Sequence, residues 1–71
     1  MSDSTAMIVL NGQPRQVKQP CSVAELLAEL GWKPTQVVVE RNGNVLPRAE
    51  AGATALKDGD QLEIILPVAG G

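Results

Sequence analysis

Several residue types that carry side-chain chemistry are absent or rare. The 71 residues include no histidine, no tyrosine and no phenylalanine, one cysteine and one tryptophan. Without histidine the chain lacks the commonest general base and metal ligand. A single cysteine, Cys21, excludes an internal disulfide and a cysteine-based metal cage. With no nucleophile and base pair and no phosphate-binding loop either, we expect no enzymatic activity, no resident metal and no bound cofactor.

Charge and hydropathy exclude two classes of partner. The net charge is -2, and the six basic residues are scattered along the chain instead of forming a stripe that would neutralise phosphates, so we expect no nucleic-acid partner. No apolar run approaches the roughly 20 residues that a membrane helix needs. Residues 1–6 lack the basic start and apolar segment of a secretion signal. We therefore expect a soluble, cytoplasmic protein.

Two strand-turn-strand units and a final strand follow from the apolar pattern. Residues 7–10 are apolar and lead into Asn11 and Gly12, the residue pair that a tight hairpin turn favours, before a second strand halted by Pro20. The valines at 37–39 lead in the same way through an Asn-Gly-Asn turn to a short segment at 45–46. Residues 61–66 alternate and predict a last strand at or near the centre of the sheet.

One helix is predicted between these units. Ser22 can cap it and Glu25 can return the capping bond, and apolar residues follow at helical spacing. Gly31 suits the left-handed position after a helix, so the helix should span about residues 23–30. Residues 48–55 lack large apolar side chains and predict a loop with one helical turn.

These elements predict an α+β fold. One helix lying across one face of a mixed sheet of four to five strands is the β-grasp, or ubiquitin-like, architecture. We expect a flexible leader over residues 1–6, a single domain over 7–66 and an extended tail over 67–71. The tail ends in Gly70 and Gly71, which can be a side-chain-free thread for a narrow channel in a partner or a frayed terminus. The two glycines alone leave both interpretations open.

Two groups of residues resemble a known family. The end of the chain, Asp58-Gly59-Asp60, a strand and then Val68-Ala69-Gly70-Gly71, is similar to the sulfur carriers of thiamine and molybdopterin biosynthesis. The segment Val39-Glu40-Arg41-Asn42-Gly43, followed by Val45, Pro47 and Arg48, resembles the thiamine carriers of the ThiS family in particular, as do Asn11 and the helix sequence Val23-Ala24-Glu25-Leu26-Leu27. Molybdopterin carriers are richer in phenylalanine, which this chain lacks.

The resemblance implies a function for Gly71. A partner adenylating enzyme of the ThiF type would use ATP to convert the Gly71 carboxylate to an acyl adenylate, because a carboxylate with a pKa of about 3.5 is a poor electrophile at pH 7. Sulfur from a donor protein would then give a thiocarboxylate, which a ThiG-type thiazole synthase would consume. The tail residues Val68, Ala69, Gly70 and Gly71 would thread into these partners.

Other residues carry weaker hypotheses. Arg41, Arg48 and Ile65 are possible partner contacts. The sheet face away from the helix is a better candidate for partner contact than the arginines, because strand residues such as Val38 or Ile65 would leave apolar area exposed there. Cys21 precedes the helix, where a thiol pKa is lowered, but its position favours a packing role over sulfur relay.

Two further features have a structural and a functional interpretation. Trp32 could bind a partner, although it more simply covers the end of the helix as part of the core. Asp58 and Asp60 resemble a metal pair, but without a third acidic ligand nearby they are interpreted as a solvated turn.

Two alternative functions stay open. The first keeps the carrier chemistry and changes the pathway to molybdopterin synthesis, transfer-RNA thiolation or amino-acid sulfur metabolism. The second is a β-grasp interaction module that binds through its open sheet face without carrying sulfur.

Overall fold

The structure is a computed structural model that describes residues 4–67. Within this range the chain forms five strands, one α-helix and two short 3-10 turns, at Pro34–Gln36 and Arg48–Glu50. The regular elements in chain order are β1 Ser4–Leu10, β2 Gln13–Gln19, α1 Val23–Glu29, β3 Val38–Arg41, β4 Asn44–Leu46 and β5 Gln61–Ile65. None of the helices in the described range is long and apolar enough to cross a membrane.

The five strands form one mixed sheet in the order β2-β1-β5-β3-β4. Strand β5 lies at the centre, parallel to β1 and antiparallel to β3, while the β1–β2 and β3–β4 pairs are antiparallel hairpins. The predicted mixed sheet and the central position of the last strand are confirmed. The last strand in the chain is thus held on both sides, and it is the one that leads toward the C-terminus.

Both hairpins close through two-residue Asn-Gly turns. Leu10 pairs with Gln13, and Arg41 pairs with Asn44, so the turns are residues 11–12 and 42–43. The φ angles are +50° and +82° in the first turn and +52° and +86° in the second. Positive φ at both central residues defines the type I′ turn, whose twist matches the twist of the flanking strands. The predicted turn positions are confirmed.

The helix begins and ends as the sequence predicts. Ser22 N–H donates to Glu25 Oε1 at 2.8 Å and Glu25 N–H donates to Ser22 Oγ at 3.0 Å, which is a complete capping box. At the other end Gly31 has a φ of +86°, and the Trp32 N–H donates to the Leu27 carbonyl at 2.9 Å. This is the Schellman motif, in which a left-handed glycine ends the helix.

The helix packs across one face of the sheet and, within residues 4–67, the two enclose one hydrophobic core. A seven-residue helix has little stability of its own, so burial of Val23, Leu26 and Leu27, each at most 1% exposed, holds it in place. The sheet contributes buried residues from its inner strands, among them Ile8, Val39 and Leu62. Trp32 is partly buried against this core, which confirms its structural interpretation.

The prediction that residues 4–6 belong to a loose leader is wrong. Strand β1 begins at Ser4, and Ser4, Thr5 and Ala6 pair with Gln19, Lys18 and Val17 of β2. Ala6 is 1% exposed, because its small side chain points into the core beside Val17. The polar or small side chains of these three residues do not indicate a strand, since only Ala6 faces the core. Residues 1–3 of the predicted leader lie outside the described residues.

Candidate functional site

The candidate site is the end of strand β5 and the sheet surface around it. The predicted reactive residue Gly71 and the tail residues Val68, Ala69 and Gly70 lie outside the described residues. The structure describes the strand that carries them, as far as Pro67. The geometry therefore concerns how the chain presents its C-terminal segment, and which surface it offers to a partner that receives that segment.

Strand β5 is held on both flanks by asparagine side chains from the two hairpin turns. On the β3 flank, the Asn42 N–H donates to the Gln61 carbonyl at 2.7 Å, and the Gln61 N–H donates to Asn42 Oδ1 at 2.8 Å. On the β1 flank, the Asn11 N–H donates to the Leu62 carbonyl at 2.9 Å, and the Ile64 N–H donates to Asn11 Oδ1 at 2.8 Å. Each asparagine side chain thus substitutes for a strand carbonyl where the neighbouring strand has turned away.

Asp60, the residue before β5, is the centre of a buried polar network. It is 5% exposed and accepts hydrogen bonds from the Lys57 N–H at 2.8 Å and from Asn42 Nδ2 at 3.1 Å. Arg41 Nε donates to Asp60 Oδ2 at 3.3 Å. The interpretation of Asp60 as part of a solvated turn is wrong, because these donors allow the carboxylate to be buried.

The electrostatics of Asp60 follow from this network. Burial alone would raise the pKa of the Asp60 carboxyl, since it penalises the charged form. The hydrogen bonds from the Lys57 N–H and the Asn42 amide, together with the positive charge of Arg41, outweigh burial and hold the pKa below its ordinary value. Asp60 is therefore an ionised structural group that joins the start of β5 to the end of β3.

Asp58 has a structural role as well, but an exposed one. Its Oδ1 accepts a hydrogen bond from the Met7 N–H at 2.8 Å, and the Gly59 N–H donates to the Met7 carbonyl at 2.8 Å. Asp58 and Asp60 thus bind different strands instead of converging on one point. Among residues 4–67, no group of three or more histidine, cysteine or acidic side chains is placed to hold a metal ion.

The sheet face away from the helix, here called the open face, carries exposed apolar side chains. In this face Val38 pairs with Ile65, and Glu40 pairs with Glu63 on one side and with Val45 on the other. The buried Val39 and Leu62 belong to the opposite face, which the helix covers. Ile65 is 39% exposed and Val45 63%, while Val38 is half-buried. The register thus places both predicted apolar residues, Val38 and Ile65, on the open face, and Ile65 is the last residue of β5.

The two arginines predicted as partner contacts occupy different settings. Arg41 lies opposite the buried Leu62, so it is not on the open face, and its guanidinium is bound to Asp60. Arg48 is exposed in the second 3-10 turn. The register places Arg41 and Ile65 on opposite faces of the sheet, and the contacts of all three residues with a partner stay a prediction.

Cys21 has the properties of a core residue. It is 6% exposed and belongs to the core cluster together with Leu26. Burial raises the pKa of the Cys21 thiol, and the nearby Glu25 and Glu29 raise it further, whereas Arg15 has a smaller opposing effect. The thiol is therefore protonated at neutral pH and inaccessible, which confirms the packing role and disfavours sulfur relay.

The two turn asparagines have a second role that the sequence does not predict. The Asn-Gly pairs predict Asn11 and Asn42 as turn residues, and nothing in the local sequence indicates that their side chains reach β5. The shared signal is the Asn-Gly pair itself at both turns. The asparagine side chains bond to β5 only because β5 lies beside both turns, and the strand order determines this.

Comparison with known proteins identifies the family. The sequence profile described as the ThiS family matches residues 8–71. The chain belongs to the ThiS family. A crystal structure of the thiamine biosynthesis protein ThiS from Geobacter metallireducens superposes with a TM-score of 0.77 at 38% identity, covering 92% of this chain and 99% of the other. A solution structure of a thiamine biosynthesis protein from the same organism superposes with a TM-score of 0.74, covering 92% of this chain and 87% of the other. The predicted family and the β-grasp fold are confirmed.

Two further relatives of this ThiS-family chain differ in length. A protein named thiazole synthase from Paramagnetospirillum magneticum is 39% identical over 64 residues, which are 90% of this chain and 20% of that protein. The chain thus spans about a fifth of the length of this relative. The uncharacterized protein ycf40 of Pyropia yezoensis is 38% identical over the full length of both chains. Membership of the ThiS family supports the prediction of a sulfur carrier in thiamine biosynthesis.

Proposed function

We propose that this ThiS-family chain is a sulfur carrier for thiazole formation in thiamine biosynthesis, with the carboxylate of Gly71 as its working group. The observation that carries the proposal is the match of the family over residues 8–71, which includes the Gly-Gly end. The fold supports it, because the central strand β5 leads directly toward that end. The chain supplies the carboxylate and the surface that a partner recognises, and it supplies no catalysis.

The first step is activation of the carboxylate. A terminal carboxyl with a pKa of about 3.5 is ionised at neutral pH, so its carbon resists attack by a nucleophile. In a partner enzyme, an oxygen of the Gly71 carboxylate attacks the α-phosphorus of ATP and pyrophosphate leaves. The product is an acyl adenylate with AMP as a good leaving group. ATP is bound by the partner and not by this chain.

The second step replaces that oxygen with sulfur. The terminal sulfur of a persulfide on a donor protein attacks the acyl carbon, the carbon–oxygen bond to AMP breaks, and AMP leaves with its electron pair. The resulting acyl disulfide joins the carrier to the donor. A thiol then attacks the donor's sulfur, so that a new disulfide forms and the thiocarboxylate of Gly71 is released with the electron pair of the broken bond.

Three partners follow from this sequence of steps: a ThiF-type adenylating enzyme, a persulfide donor protein and a ThiG-type thiazole synthase that accepts the sulfur. The thiazole synthase is supported by relatives of that name in Paramagnetospirillum magneticum and Magnetococcus marinus, which contain a segment 39% identical to this chain. A segment of this kind within the same chain as a synthase is consistent with a functional connection between the two. We place the exchange among these partners in the cytoplasm.

The open face is the proposed docking surface for these partners. The exposed apolar side chain of Ile65 lies on it, and Ile65 is separated from Gly71 by five residues, 66–70. A partner that covers this face at the end of β5 therefore contacts the chain a few residues before Gly71. We propose Ile65, on this face, and the exposed Arg48 as contacts. Arg41 lies on the other face and its side chain is 27% exposed, so we propose it as a contact outside the open face.

The experiment that tests this function blocks the carboxylate without changing the domain. One alanine is appended after Gly71, and the matched control carries one alanine added before Met1. Release of pyrophosphate from ATP is measured with the adenylating enzyme. We expect the C-terminal extension to abolish carrier-dependent release and the N-terminal extension to leave it unchanged. Equal carrier-dependent release from both proteins would show that a free Gly71 carboxylate is not required, and release from neither of them with a demonstrably active enzyme would favour an interaction module whose Gly-Gly end is incidental.

A further inference from the structure

The end of strand β5 is supported unequally on its two flanks. On the β3 flank, backbone pairing continues to Val38, which lies opposite Ile65. On the β1 flank, the last backbone pair is Leu10 with Leu62, because the chain then turns at Asn11 and Gly12. Strand β5 therefore extends past its neighbour β1 by the three residues 63–65.

Asn11 fills this gap with its side chain. The Ile64 N–H, which faces the β1 flank, donates to Asn11 Oδ1 at 2.8 Å. Asn11 also donates its own N–H to the Leu62 carbonyl at 2.9 Å, so one residue supplies both the last backbone bond and its side-chain extension. Within residues 4–67, the Asn11–Ile64 bond is the last hydrogen bond on this flank of β5.

We propose that Asn11 is a positioning residue for the carrier reaction: its side chain holds the end of β5 in the sheet and so fixes the direction in which the C-terminal segment leaves the domain. This inference rests on the proposed function. Gly71 lies seven residues after Ile64. If the bond is lost, the segment that a partner must orient begins earlier in the chain, and ordering each added residue opposes placement of the carboxylate.

The turn allows the side chain to be removed without removing the turn. Glycine adopts the φ of +50° that Asn11 has, so Asn11→Gly keeps the type I′ turn and the backbone N–H while deleting the acceptor. Asn11→Asp keeps an acceptor oxygen at the same position and tolerates the left-handed conformation. The aspartate variant therefore serves as the conservative rescue.

Asn42 offers a matched control on the opposite flank. It has nearly the same backbone, with a φ of +52°, and its Oδ1 accepts from the Gln61 N–H at the same distance of 2.8 Å. That bond holds the start of β5 and not its end. Asn42→Gly also loses the bond from Nδ2 to Asp60, so its effect on stability should be at least as large as that of Asn11→Gly.

The test compares the steady-state kinetics of ATP-dependent thiocarboxylate formation by wild type and the three variants. The concentration of the carrier is varied. The temperature is one at which circular dichroism shows each protein to be folded. We expect Asn11→Gly to lower kcat about five- to tenfold, the effect of one hydrogen bond, with KM within about twofold because the open face is unchanged. Asn11→Asp should restore kcat. Asn42→Gly should keep the wild-type kcat despite its lower stability.

Several outcomes overturn the role. An unchanged kcat for Asn11→Gly would do so, as would an equal loss of kcat in Asn42→Gly, which would mark a general effect of destabilisation. A failure of Asn11→Asp to restore kcat would show that the acceptor is not what matters. If wild type itself forms no thiocarboxylate with a demonstrably active enzyme, the carrier function fails and this role fails with it, and all four proteins would then behave alike.

Discussion

Arg41 and Asp60 form an ion pair that joins strand β3 to the residue before β5. Arg41 Nε lies 3.3 Å from Asp60 Oδ2, and the side chains are 27% and 7% exposed respectively. The carboxylate also accepts from the Lys57 N–H and the Asn42 amide, so removal of Asp60 leaves several donors without an acceptor. This arrangement makes Asp60 a structural residue of the domain.

We expect Asp60→Ala to destabilise the protein by about 3 kcal/mol, the cost of leaving one partner of a buried pair alone. Urea unfolding followed by circular dichroism measures the free energy of unfolding. Asp58→Ala is the control, because Asp58 is exposed and accepts one hydrogen bond from the Met7 N–H, so its loss should cost about 1 kcal/mol. Equal losses in the two variants would contradict the central role of Asp60.

Asp60 also makes the free energy of unfolding depend on pH in the acid range. The pKa of the folded Asp60 is held below its ordinary value of 3.8, so the ionised form stabilises the fold at any pH above that value. As pH falls from 3.8 through the lower, folded pKa, this contribution is lost. The difference in unfolding free energy between wild type and Asp60→Ala should therefore be constant above about pH 5 and shrink below pH 4. A difference that stays constant down to pH 2 would contradict the assignment.

Local patterns predicted most of the fold. The capping residues Ser22 and Glu25, the helix-ending Gly31 and the two Asn-Gly turns each determine their own structure through backbone geometry or nearby hydrogen bonds. Because such signals involve residues close in sequence, the order and type of the elements followed from them.

The long-range roles could not be predicted in the same way. Asp60 contacts Arg41 across 19 residues of chain, and Asn11 contacts Ile64 across 53, so both depend on the topology. The start of β1 at Ser4 depends equally on the length of its partner β2. For the site, the resemblance indicated Gly71, but which residues hold β5 required the strand order.

Cys21 should be dispensable for carrying sulfur. Replacement of Cys21 by alanine should leave thiocarboxylate formation unchanged and cost about 1 kcal/mol of stability, because a small buried group is lost. In the native wild type, burial and the raised pKa should also make the thiol react far more slowly with a disulfide reagent than it does in urea. A loss of thiocarboxylate formation in Cys21→Ala would revive a sulfur-relay role.

Ile65 should matter for partner binding through the open face. We expect Ile65→Lys to raise the carrier KM of the adenylating enzyme about tenfold, the effect of removing one apolar contact at an interface. Val45→Lys is the matched control, because Val45 is also exposed on the open face, but on the edge strand β4. Its KM should change less than about twofold. A larger effect of Val45→Lys would move the docking surface toward the β4 edge.

The central claim is that Gly71 carries sulfur, and the most direct test is intact mass. The full-length chain and a chain lacking Gly71 are each incubated with ATP, the ThiF-type adenylating enzyme, a persulfide donor and a thiol that releases the thiocarboxylate, and their masses are then measured. We predict a shift equal to the replacement of one oxygen by sulfur in the full-length chain and no shift in the shortened one. An unchanged mass of the full-length chain with a demonstrably active enzyme, or the same shift in both chains, would contradict the claim.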